Sequence, residues 1–236
     1  MGERVVCPAD IPYDYMVFRI FLLLAFFLAG NSGRADAPPK ICSLLKPVVC
    51  NRVIQDREIM THASLDEVSG PLLPGQKRMV YSYYAVMLSR ASLSSAKKVL
   101  TNYPLYAELV PYVNSVFYNP VTKVVHVSGG IWKWMLSSKV RFEEKGERWL
   151  HYSIVDGHFK GLEGDIFFES QGENGTIAYF RGRVTGNEWP PRFVIERGAE
   201  IIFGFTASRM RSYIESADKN IQGDKNGQVP QPRRRL

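Results

Sequence analysis

The chain has 236 residues, of which 45% are hydrophobic and 12% aromatic. This apolar content is ample for the core of one globular domain, and it excludes an intrinsically disordered chain. The net charge is +7, but residues 219–236 alone contain five Lys or Arg and one Asp, a surplus of four. The rest of the chain is therefore only mildly basic, and we expect no nucleic-acid partner.

A leader with a secretory signal peptide is predicted within residues 1–35. Arg19 precedes an uninterrupted apolar run over residues 20–29, which small and polar residues follow, as in an export signal. About ten apolar residues are too few to span a bilayer, which needs roughly 20. We expect cleavage after Ala35, with Ala37 as the competing site and Met16 as an alternative start. The predicted location is periplasmic or secreted.

Residues 36–75 are interpreted as a lead-in that contains Cys42 and Cys50, the two cysteines after the predicted signal. An even count in an exported chain permits one disulfide, and free thiols are the alternative. In a straight helix the two residues would lie about 12 Å apart, so a bridge requires a bend at Pro47. No other Cys or His has ligand spacing nearby, and no metal site is predicted.

The elements after the breaker string at residues 69–75 alternate between apolar runs and turns. We predict a strand over 79–88, two short helices over 92–100 and 104–110, and a long helix over 191–216 with apolar residues at helical intervals. Turn residues separate the strands between these helices, so the strands should pair as antiparallel neighbours. The six strands predicted there are 114–118, 123–128, 132–142, 148–155, 161–169 and 176–184.

This order predicts an α+β fold: a curved antiparallel sheet of about six or seven strands wrapped around the C-terminal helix. Apolar residues alternate with charged ones along the strands, so each strand should have one dry and one wet face. Glu163, Asp165, Arg181 and Arg183 are expected on the wet face. Gly164 should mark a bend in the sheet or a close approach of another group. Residues 218–236 are predicted to be a disordered basic tail.

Several segments resemble the START-like superfamily of helix-grip proteins, which includes polyketide cyclases and coenzyme Q-binding proteins. The similar segments are 106–113, where a helix ends at a proline before an aromatic residue, 159–164, 175–179, and Pro190-Pro191 before the last helix. The resemblance implies a START-like ligand-binding domain over residues 76–217. It also implies a cavity between the sheet and the C-terminal helix for an apolar ligand such as a lipid, an isoprenoid quinone or a polyketide. It implies no single activity.

The predicted cavity wall combines dry-face strand residues with two residues of the last helix, although a filled core would use the same side chains. These candidates are Tyr83, Trp134, Leu136, Val140, Phe142, Leu162, Ile166, Phe168, Ala178, Phe180, Ile202 and Phe203.

Two functions from different classes fit these predictions. The preferred one is an exported, non-catalytic carrier of a hydrophobic small molecule, with no cofactor and no catalytic residue. The alternative is a cyclase- or hydrolase-like enzyme of the same fold, in which His151 or Tyr152 transfers a proton. An interaction protein whose cavity is filled by its own side chains is a third option. Transient contact with a membrane surface stays open, and the oligomeric state is unknown.

Overall fold

The eight strands of the described residues form a single antiparallel sheet. The computed structural model describes residues 38–69, 77–131, 134–172, 175–186 and 192–225. Within these, the strand order across the sheet is β1-β2-β8-β7-β6-β5-β4-β3. The strands are β1 (Met60–Ser69), β2 (Lys77–Ser89), β3 (Val113–Asn119), β4 (Val124–Ile131), β5 (Trp134–Gly146), β6 (Trp149–Gly157), β7 (Glu163–Ser170) and β8 (Thr176–Gly186).

The helices precede β1, connect β2 to β3, and end the described chain. The C-terminal helix packs against β1, β2 and the two helices between β2 and β3, on the concave side of the sheet. The predicted α+β helix-grip fold is thereby confirmed. None of the described helices is both long enough and apolar enough to cross a membrane. The helices are α1 (Pro47–Asn51), α2 (Leu93–Leu100), α3 (Tyr106–Leu109) and α4 (Arg192–Lys225), with short turns at Ile41–Leu44, Arg52–Asp56 and Tyr103–Leu105.

Strand β1 is one strand more than the six or seven predicted, and it lies inside the segment interpreted as a lead-in. It pairs with β2 along its whole length, from Met60 opposite Val86 to Ser69 opposite Lys77. The sequence does not indicate this strand because only two of its side chains, Ala63 and Leu65, are buried, and one of them is small. Most of its other residues are polar, so the alternation is faint.

Helix α4 extends nine residues further than the predicted end at residue 216, to Lys225. Asp218, where the basic tail was predicted to begin, is buried. Its carboxylate accepts hydrogen bonds from the Ser92 backbone N–H at 3.3 Å and from the Ser92 hydroxyl at 3.1 Å. These hydrogen bonds hold the last part of α4 against the start of α2. Asp218 therefore belongs to the folded domain, and the predicted tail boundary is wrong. Residues 1–35 and 226–236 lie outside the described residues.

The N-terminal segment, defined as residues 38–56, covers part of the outer face of the sheet, opposite the concave side. Ile41, Val49 and Val53 pack there on apolar side chains of the central strands. The prediction that this whole face is exposed to solvent is therefore wrong. Cys42 and Cys50 form a disulfide with Cα atoms 5.4 Å apart, which joins the first turn to α1. The sheet residues buried in this second core are Val86, Leu88, Phe167, Ile177 and Tyr179.

Replacement of Ile41 tests whether this outer core stabilises the fold. Ile41→Ala should lower the free energy of unfolding by about 2–5 kcal/mol, because the residue is 1% exposed and its removal leaves a cavity. Val48→Ala on the next helix is the matched control, and since Val48 is 61% exposed it should change stability by less than about 0.5 kcal/mol. Urea denaturation of both variants measures the difference, and equal stabilities would show that the segment does not pack as described.

Candidate ligand-binding cavity

A cavity of about 360 Å³ lies between the concave face of the sheet, the α2–α3 region and α4. This volume is at the lower end of the range for small-molecule sites, about 300–1,000 Å³. Its wall consists of aliphatic and aromatic side chains with one threonine, and no described residue of the wall is charged. An apolar molecule can therefore be desolvated here without burying an unpaired charge.

Most residues predicted for the wall face this space. They come from β2, β5, β7, β8 and α4 and from the turn before β7, so the alternation of the strands correctly indicated which side chains share a face. The predicted residues that line the cavity are Tyr83, Val140, Phe142, Leu162, Ile166, Ala178, Phe180, Ile202 and Phe203.

Three predicted wall residues are placed differently. Leu136 is 42% exposed and does not line the cavity, because it lies in the part of β5 before Ser138, where pairing with β6 has not begun. Phe168 is 2% exposed but belongs to the filled core at the end of β7 that approaches α2. The side chain of Trp134 lies outside the described part of the structure.

The wall also contains residues that the sequence analysis did not select. Some of them lie on β2, β4, β6 and α4, and a further group lies from the end of α2 to β3. The only signal of this group in the sequence is a high density of apolar and aromatic residues without strand alternation. The group consists of Leu100, Tyr103, Tyr106, Val110, Tyr112, Val113 and Val116.

Two tyrosine hydroxyls meet on the concave surface of the sheet. Tyr83 of β2 and Tyr152 of β6 are separated by β8 and β7, and their hydroxyl oxygens are 2.6 Å apart. The residues in register between them are Gly182 and Gly164. A Cβ atom on Gly182 would lie 2.6 Å from Tyr83 Oη, and one on Gly164 would lie 2.5 Å from Tyr152 Oη. We call these four residues the glycine floor. Gly164 thus marks a close approach, one of the two predicted alternatives.

The hydrogen atoms of this tyrosine pair have one consistent arrangement. Tyr152 Oη lies 2.8 Å from the carbonyl oxygen of Arg181, which can only accept. Since a hydroxyl has one hydrogen, Tyr152 donates to Arg181 and Tyr83 donates to Tyr152. Burial raises the pKa of both Tyr83 and Tyr152, and the hydrogen bond between the two hydroxyls acts in the opposite direction on the pKa of Tyr83. Both groups therefore stay protonated at neutral pH, and neither hydrogen is free for transfer.

The other tyrosines of the wall mostly use their hydrogens in the same way. Tyr106 donates to the Leu100 carbonyl at 2.9 Å. Tyr112 donates to the Ile202 carbonyl at 2.7 Å and lies 2.7 Å from the Thr206 hydroxyl, so it joins the start of β3 to α4. Tyr103 stacks on Phe142 with ring centroids 4.5 Å apart, and its hydroxyl has no hydrogen-bond partner among the described residues.

Asp165 is the centre of a polar cluster on the outer face. Its carboxylate accepts from Trp149 Nε1 at 2.9 Å and from Arg181 Nη2 at 2.9 Å, and His151 Nδ1 lies 3.1 Å away. Burial alone would raise the pKa of Asp165, but these hydrogen bonds together with the charge of Arg181 outweigh it and lower the pKa. The prediction that Asp165 is a solvated charge is therefore wrong, since its side chain is only 14% exposed.

His151 belongs to this outer cluster and points away from the cavity, whereas its neighbour Tyr152 points into it. The proton-transfer role proposed for His151 within the cavity has no geometric basis. His126 and His158 are exposed. Among the residues that the structure describes, no group of His, Cys, Asp or Glu is arranged to hold a metal ion.

Comparison with known proteins gives similarity in shape only. No protein-family model matches the chain, and no curated protein matches it significantly. A START superfamily protein from Mycobacterium smegmatis is 10% identical, with 59% of this chain and 98% of that chain covered and a TM-score of 0.46. A STAR-related lipid transfer protein from Xanthomonas axonopodis is 11% identical, with 64% and 98% covered and a TM-score of 0.45. The di-domain ARO/CYC StfQ from the steffimycin biosynthetic pathway is 10% identical, with 61% and 52% covered and a TM-score of 0.49.

The glycine floor is tested by adding one methyl group. Gly182→Ala should lower the free energy of unfolding by about 1–3 kcal/mol, because the new Cβ collides with the Tyr83 hydroxyl and ring. Gly146→Ala is the control, since a Cβ there has nothing within 4 Å and should leave stability unchanged or slightly improved. Urea denaturation compares the two variants. If both are as stable as the wild type, the tyrosines do not lie on the glycine strands.

The outer cluster should give the stability a defined pH dependence. The lowered pKa means that folding favours the ionised form of Asp165, so its contribution is present above the ordinary pKa of 3.8 and is lost as the pH falls through the folded-state value. Asp165→Asn should lower the free energy of unfolding by about 1–3 kcal/mol at pH 7. The difference from the wild type should shrink below about pH 4.

Glu163→Gln is the control for this measurement, because Glu163 is an exposed carboxyl group two residues earlier on the same strand. It should change the unfolding free energy at pH 7 by less than about 0.5 kcal/mol. A difference between Asp165→Asn and the wild type that stays constant from pH 7 to pH 3 would contradict the assignment.

Proposed function

We propose that this protein binds a neutral, hydrophobic small molecule in the cavity and carries it chemically unchanged. The observation that supports this most is the cavity itself: about 360 Å³ of space whose described wall has no charged side chain. Burying about 300 Å² of apolar ligand surface gains roughly 7 kcal/mol before the entropy cost of association. Such a ligand is therefore held without any catalytic group.

A carrier is favoured over the cyclase- or hydrolase-like alternative by the state of the polar groups. The hydroxyl hydrogens of Tyr83 and Tyr152 are both donated within the protein, and burial keeps both pKa values high. General acid–base catalysis needs a group that exchanges a proton near the working pH, and this pair does not supply one. The open space in the cavity argues against the third option, a core filled by its own side chains.

We also propose that the protein functions outside the cytoplasm. Two features support this: the apolar run at residues 20–29, which small residues follow, and the disulfide between Cys42 and Cys50. Disulfides persist mainly in oxidising compartments. Transient contact with a membrane surface, where a hydrophobic ligand could be collected, stays a prediction.

A side chain that fills part of the cavity should weaken binding. Ala207 lines the cavity from α4, and Ser208 is exposed on the same helix turn. Ala207→Phe should weaken binding of the neutral probe N-phenyl-1-naphthylamine at least about tenfold, because the new ring takes up ligand space, whereas Ser208→Phe should change it by less than about twofold. Fluorescence titration gives both values, and native mass spectrometry of the purified protein detects any co-purified ligand. A wild-type protein that neither binds the probe nor carries a ligand would refute the proposal.

A further inference from the structure

The glycine floor is the polar part of an otherwise apolar wall. It can accept a hydrogen bond from a ligand but cannot donate one. Tyr83 gives its hydrogen to Tyr152, and Tyr152 gives its hydrogen to the Arg181 carbonyl. A phenolic oxygen also has lone pairs that accept hydrogen bonds, and those of Tyr83 are not used by any described residue. The floor therefore offers the ligand an acceptor without offering it a donor.

We infer that the glycine floor selects a hydrophobic ligand that bears a hydroxyl group over the same skeleton with a carbonyl group. This inference rests on the proposed function and specifies the chemical class of its ligand. An alcohol or phenol donates its hydrogen to Tyr83 Oη. A ketone, ester or carboxylate oxygen placed there meets lone pairs and is buried without a partner, which is strongly disfavoured.

The rest of the wall does not cancel this preference. Tyr106 and Tyr112 donate to the backbone carbonyls of Leu100 and Ile202, so their hydrogens are also in use. Tyr103 is the exception among the described wall tyrosines, but its ring stacks on Phe142 and contacts Tyr118, and it is not among the nearest atoms to Gly164 or Gly182. It therefore serves as a control for a donor elsewhere in the cavity.

Three probes with one carbon skeleton test the inference: 2-ethylnaphthalene, 1-(2-naphthyl)ethanol and 2-acetylnaphthalene. They differ only in carrying two hydrogens, a hydroxyl or a carbonyl oxygen at the same carbon. Each is titrated against N-phenyl-1-naphthylamine in the full-length wild type and in variants. The ratio of the alcohol and ketone dissociation constants is compared between proteins, so that the different hydration of the free probes cancels.

Two variants change the hydrogen-bond chain, and each should raise the ratio of the alcohol to the ketone dissociation constant. The double variant Tyr83→Phe/Tyr152→Phe removes both phenolic oxygens, because Tyr83→Phe alone would open the lone pair of Tyr152 that accepts the Tyr83 hydrogen. In the double variant the alcohol should bind about fivefold to tenfold more weakly and the hydrocarbon equally well. Tyr152→Phe frees the Tyr83 hydrogen, so the ketone should bind more tightly by a similar factor. Tyr103→Phe should leave the ratio as in the wild type.

Every outcome decides between these ideas. If the hydrocarbon binds but the alcohol-to-ketone ratio is the same in the wild type, the double variant and Tyr152→Phe, the inference is wrong and the proposed function stands. The same holds if the ratio changes only in Tyr103→Phe. If no probe binds the folded wild type, the proposed function itself fails. Should the double variant not fold, tighter binding of the ketone by Tyr152→Phe than by the wild type still supports the inference, and unchanged ketone binding overturns it.

Discussion

The contact between the hydroxyls of Tyr83 and Tyr152 is the constraint on which the cavity depends. The two side chains can meet only because both strands between them carry glycine at that level of the sheet, Gly182 on β8 and Gly164 on β7. The rings occupy the space where side chains of β7 and β8 would otherwise stand, and they put two oxygen atoms into an apolar wall. The depth of the cavity and its polarity therefore come from the same four residues.

The strands that carry this floor are supported from the opposite side. Phe167 and Tyr179, on β7 and β8, lie under the N-terminal segment in the second core. Next to that core, Asp165 ties β6, β7 and β8 together through Trp149 and Arg181. Protein interiors are packed closely and transmit strain. We therefore expect the second core and the Asp165 cluster to hold the central strands in place whether the cavity is empty or filled. The N-terminal segment thus supports the cavity wall without lining the cavity.

The sequence predicts what is periodic and local, and it fails where the structure joins distant residues. Turns and alternation indicated the order of the strands and the shared face of Ile166 and Phe180. The same alternation cannot separate a cavity wall from a filled core, which is why Phe168 was placed with them. A close approach at Gly164 was among the predictions, but the approaching Tyr152 hydroxyl is held there by Tyr83, which is far away in the chain. The wall formed by Tyr106 and its neighbours follows no period at all.

Helix α4 is fastened at both ends. Near its start, Glu196 accepts a hydrogen bond at 2.9 Å from the Leu65 backbone N–H on the edge of the sheet, and near its end Asp218 accepts from Ser92. A helix held in this way cannot swing outward as a lid without breaking bonds at two places. For the proposed carrier we expect ligand exchange by local opening between α4 and β3, where the Tyr112 hydroxyl is the single described polar link. The rate of ligand release should accordingly follow the strength of that link.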